Sequence, residues 1–86
     1  MIYFVLSKLG YVDLVARLGK VPSPIWLNAD VLTDSEISDL RQAEVSVTNF
    51  TNLVGSHNSA DYLTALDSIQ EHHPGEQIWV EPVASL

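Results

Sequence analysis

The sequence predicts a small three-layer α/β domain on a four-stranded, mostly parallel sheet, with strands and helices alternating as βαβαβαβ. Three observations lead there. Short apolar runs rich in β-formers alternate with helix-length segments, and spacers of that length favour parallel pairing through crossover helices. Hydrophobic residues make up 47% of the 86 positions, enough for a packed globule. Eighty-six residues also fit one domain, spanning 1–86.

The first strand is read over Ile2 to Ser7, a continuous apolar run of the kind buried on both faces. Gly10 is expected to open a short helix that ends at Leu18, with Gly19 in the left-handed position that closes it. Asp13 and Arg17 are spaced as an i, i+4 ion pair. Tyr11, Val12, Leu14, Val15, Ala16 and Leu18 leave that helix little other polar surface, so more than one of its sides should be covered. Val21-Pro22-Ser23-Pro24 is a connector, since two prolines fit neither a helix nor a central strand. Ile25-Trp26-Leu27 forms a second buried strand, ending at Asn28-Ala29-Asp30.

The second helix has the clearest start. Thr33 is its N-cap, Glu36 completes a capping box, and Leu32 and Ile37 have the spacing of a hydrophobic staple. Glu44 to Phe50 alternates apolar and polar residues, the pattern of an edge strand. Thr51 to Asn58 reads as a polar loop carrying Gly55 and His57. Ser59 is expected to cap a third helix whose Leu63, Leu66 and Ile69 face the core, and His72-His73-Pro74-Gly75 stops it. Gln77 to Val80 is the last strand, with Pro82 marking it as an edge or as its frayed end. Burial then sorts the sheet. The two fully apolar strands belong in the middle and the other two at the edges, giving the order 3-2-1-4 of a truncated Rossmann-like sheet. A flavodoxin-like order 2-1-3-4 is the alternative.

Charge narrows the function classes. The net charge is −7, and Lys8, Arg17, Lys20 and Arg41 are the only basic residues, all in the first half. From Gln42 onward there are six acidic residues and no Lys or Arg. Counterion release needs clustered cations, so no nucleic-acid partner is expected, nor adhesion to an anionic membrane. The acidic half could face a basic protein partner. With no cysteine, disulfides, thiol catalysis and cysteine-held zinc are excluded. The opening Met1–Leu6 run lacks the basic start and the cleavage site of a signal peptide. No apolar stretch approaches the roughly 20 residues that span a bilayer, and a cytoplasmic protein is expected.

Ligands of such sheets bind beyond the carboxyl ends of the strands, where strand order reverses. Ser7, Lys8, Asn28, Asp30, Thr51, Asn52 and His57 are the polar residues collected there, with Lys8 and Asp30 as the most suggestive pair. The competing reading is a surface ion pair among loop-capping groups. Ser7-Lys8-Leu9-Gly10 sits where a glycine-rich phosphate loop would be but has one glycine, so no nucleotide cofactor is expected. His72 and His73 are adjacent and point about 100° apart on a helix, which fits no metal site. Trp26 and Trp79 read as packing aromatics.

No motif names a reaction. The leading expectation is a non-enzymatic module for protein–protein contact or regulation that forms a homodimer, with Tyr11, Val12 and Val15 of the apolar first helix at the interface. Only 17% of residues are charged, against about 25% on average, which leaves apolar surface for a partner. The alternative is a small enzyme or small-molecule binder using the strand-end residues. A third reading is an acidic inhibitor of a basic site, which requires Asp61, Asp67, Glu71 and Glu76 to share one face.

Overall fold

A computed structural model describes residues 1–55 and 60–82 of the chain. The elements are β1 (Ile2–Val5), α1 (Lys8–Leu18), β2 (Ile25–Leu27), α2 (Asp34–Gln42), β3 (Val47–Asn49), α3 (Ala60–His72) and β4 (Ile78–Val80). The four strands form one all-parallel sheet in the order β3-β2-β1-β4. The order read from strand apolarity is the one found. β1 and β2, in the middle, hold Ile2, Phe4, Val5, Ile25 and Leu27 at 0% exposure.

Alternation along the strands splits the core into two layers. Val5, Ile25, Leu27 and Val47 point to one face, where Leu14 of α1 and Ile37 of α2 cover them. Ile2, Phe4 and Trp26 point to the other, under Ala65 and Ile69 of α3. Helices α1 and α2 share a face while α3 lies opposite, as right-handed crossovers require when the chain steps from β1 to β3 and then returns past β1 to β4. Leu32 and Ile37 both enter the core, as the staple spacing predicts.

Several boundaries differ from the sequence expectation, each for a physical reason. The first strand ends at Val5 and α1 starts at Lys8, not at Gly10. Ser7 is the N-cap, its hydroxyl accepting from Gly10 N at 3.1 Å. The third strand is only Val47–Asn49, because Glu44 belongs to the end of α2. It takes a left-handed φ of 67°, with Glu44 N donating to Arg41 O and Val45 N to Leu40 O, both at 3.0 Å. That is a Schellman closure with glutamate where glycine is usual. In α3, Leu63 is 59% exposed rather than core-facing. The helix instead turns Tyr62, Ala65, Leu66 and Ile69 to the sheet, an i, i+3, i+4, i+7 stripe that sets the Tyr62 ring beside Phe4, centroids 6.4 Å apart. The expected Ser59 cap lies outside the described residues.

Candidate functional site at the carboxyl edge of the sheet

The crossover direction reverses between β1 and β4, so the crevice above these strands is where a ligand of such a sheet would lie. Here the chain fills it with its own carboxylate. Glu81 directly follows β4, and its amide donates to Phe4 O at 3.0 Å. Its Oε1 accepts from Leu6 N and Ser7 N, both at 3.0 Å, and its Oε2 from Ser7 Oγ at 2.7 Å. The Ser7 hydroxyl therefore donates to Glu81 while accepting from Gly10 N. A carboxylate at this place also meets the positive end of the α1 dipole. Gly10 is glycine for a related reason, since a Cβ there would overlap the Glu81 carboxylate.

Among the described residues, the expected site residues do not converge on one pocket. Lys8 pairs with Glu36 of α2, Nζ to Oε2 at 3.3 Å, on the exposed surface, and not with Asp30. Asp30 is exposed in a loop and takes a left-handed φ of 67°. Asn28 is buried, at 3% exposure. Its Nδ2 donates to Leu6 O at 3.0 Å and Val54 O at 2.9 Å, and its Oδ1 accepts from Ala29 N at 2.8 Å and Val54 N at 2.7 Å. Every hydrogen-bonding group of that amide is thus engaged in fastening loops to the sheet. Thr51 and Asn52 are exposed and line a hollow of about 210 Å³ with Asp61, Thr64 and Ser68 of α3. His57 lies outside the described residues.

Among the expected interface residues, Val12 is 53% exposed. Tyr11 and Val15 are half-buried, and Tyr11 packs on the α1–α2 core layer. Burial raises the Tyr11 phenol above its ordinary 10.0, and the Glu36 charge adds to it. Glu36 is held below its ordinary 4.5, first by the Thr33 backbone amide, then by the Lys8 ammonium and the Thr33 hydroxyl.

A second polar cluster sits at the opposite end of the sheet. Trp26 Nε1 donates to His73 Nε2 at 3.3 Å, and His73 Nδ1 lies 3.5 Å from Glu76 Oε2. A carboxylate, an imidazole and a third group in line resemble a catalytic relay, but an indole N–H only donates and cannot attack. The cluster ties the end of α3 to β2. Among the described residues no His, Asp and Glu side chains gather closely enough to hold a metal ion, and no helix is long and apolar enough to cross a membrane.

Glu81 is the residue that the sequence reading overlooked. The order 3-2-1-4 already places the end of β4 beside the end of β1, so a carboxylate directly after the last strand belonged with Ser7 and Lys8. Compared with protein-family models, curated proteins and solved structures, the chain matches none of them.

Proposed function

We propose that the chain is a cytoplasmic, non-catalytic α/β module whose work is protein–protein contact, with self-association into a homodimer foremost. The observation that carries this reading is the filled crevice. The place where such a sheet takes a ligand holds the Glu81 carboxylate on Leu6 N, Ser7 N and Ser7 Oγ, and the neighbouring Asn28 amide is fully engaged. The described surface instead exposes several apolar side chains, among them Leu9 at 82% and Val12 at 53% on α1 and Met1 at 54% beside β4. A ligand-binding reading rests on the hollow beside Thr51 and Asn52, whose volume of about 210 Å³ falls below the roughly 300–1,000 Å³ of ordinary ligand pockets.

Sedimentation or light scattering across the micromolar range tests the proposal. The expected result is a particle of twice the 9.5 kDa chain mass that dissociates on dilution. A monomer throughout that range overturns it.

A further inference from the structure

We infer that the second copy docks on the outer edge of β4, in antiparallel register about a two-fold axis through Trp79, so that two four-stranded sheets join into one of eight strands. This rests on the self-association proposed above and names its surface.

The two edges of the sheet differ in how they are protected. At the β3 edge, Arg41 Nη2 donates to Val47 O at 3.1 Å, so a side chain occupies an outward-facing carbonyl and blocks pairing. At the β4 edge, the ladder to β1 uses Gln77 O and Glu81 N in the register Ile2↔Ile78, Tyr3↔Trp79, Phe4↔Val80. In a parallel ladder the bonding residues alternate, so the N–H and C=O groups of Ile78 and Val80 point away from β1. Among the described residues no strand pairs with that side. The strand itself, Ile-Trp-Val, contains neither the lysine, the proline nor the bulge by which edges are usually protected.

A second copy in antiparallel register meets these outward groups. Ile78 and Val80 flank Trp79 symmetrically, so a two-fold axis there sets Ile78 opposite Val80 of the second copy, and Val80 opposite its Ile78. Each such pair exchanges both backbone hydrogen bonds, giving four in all. The same register sets Gln77 opposite Glu81 and Glu76 opposite Pro82 of the second copy, so no two like charges face each other across the seam. Both faces beside the edge are concave and partly apolar. One hollow of about 410 Å³ is lined by Tyr3, Leu18 and Trp79, and another of about 500 Å³ by Leu66, Ile78 and Val80. Joining the edges would cover both. On α1, by contrast, Tyr11 already packs inward and the Asp13–Arg17 ion pair borders the exposed Leu9 and Val12.

The test is amide hydrogen exchange of the unmodified chain at two concentrations, beside cross-linking of single-cysteine variants. The chain has no cysteine of its own. Trp79→Cys would put two thiols directly opposite at a non-hydrogen-bonded pair, whose Cα separation of about 4.5 Å suits a disulfide. Trp79→Cys is expected to give a covalent dimer on mild oxidation, while Val12→Cys gives none. The amides of Ile78 and Val80 should exchange about tenfold slower or more in the concentrated sample. If the Trp79→Cys chain does not fold, the exchange result decides alone. A dimer whose Ile78 and Val80 amides stay unprotected, or which cross-links through Val12→Cys, overturns the β4 edge but leaves self-association standing. A chain that remains monomeric overturns both.

Discussion

Glu81 and Gly10 share one small volume, and that gives their energetics a distinctive form. Removing the carboxylate by Glu81→Ala leaves Leu6 N and Ser7 N without their acceptor, a loss expected to cost about 2 kcal/mol for charge-assisted bonds. Gly10→Ala in the unaltered chain drives a Cβ into the carboxylate and should cost a similar amount by displacing it. In the Glu81→Ala background the collision is gone. The same Gly10→Ala change should then stabilise by about 0.5–1 kcal/mol, because glycine inside a helix is unfavourable relative to alanine. Urea unfolding of the four chains measures this, and a coupling near zero would show that the two residues do not share the space. The pair also explains why the sequence alone does not mark this site. Ser7 and Glu81 are 74 residues apart in sequence, and nothing local in Ser7-Lys8-Leu9-Gly10 marks the third residue of a helix as the floor of a carboxylate site.

The elements differ in how much of their form is local. Helix α2 was legible to the residue at its start, because its stop-and-start chemistry lies within four positions: Glu36 N donates to Thr33 Oγ1 at 3.2 Å, and Thr33 N to Glu36 Oε1 at 3.0 Å. Thr33→Ala should cost about 1 kcal/mol at neutral pH. Glu36 has its carboxyl lowered below 4.5 in the folded chain, so its ionised form favours folding. That contribution is present above about pH 4.5 and is lost as the pH falls through the lower folded value. The stability difference between the parent and Glu36→Gln should therefore shrink to nothing in acid, and a pH-independent difference would refute the capping-box account. The far end of α2 was not legible, because its closure places a glutamate at φ 67°, where sequence patterns lead one to expect glycine. Glu44→Gly should relieve that strain and raise stability by about 1 kcal/mol, read as a shift of the urea midpoint without a change of slope. In α3 the misplacement of Leu63 has a different origin. Leu63, Leu66 and Ile69 are spaced by threes, but the stripe actually buried runs through Tyr62, Ala65, Leu66 and Ile69. Contact of an aromatic ring with Phe4 outweighs one more leucine, a tertiary preference invisible to periodicity.

At the scale of the whole molecule, sheet order followed from which strands tolerate water, whereas the surfaces left open depend on how far each layer reaches. Helices α1 and α2 on one face and α3 on the other cover β1 and β2 well. All three residues of β4 remain half-buried, and Leu9, Val12, Leu53 and Leu63 stay exposed. If β4 completes its burial against a second copy, folding and association are linked, and the melting temperature must depend on concentration. Each tenfold rise in concentration then adds about 1.4 kcal/mol per dimer. For a folding unit of this combined size, that raises the midpoint by about 3–6 °C. Charge acts in the opposite sense. Each copy carries −7, so two copies repel, and screening by salt should tighten the dimer instead of loosening it. A complex held by surface ion pairs or by a basic partner would weaken with salt. Melting curves over a hundredfold range of concentration, repeated at low and high salt, therefore separate the cases. A midpoint that rises with both concentration and salt fits an apolar, hydrogen-bonded seam between like-charged copies, and a midpoint indifferent to concentration is incompatible with it.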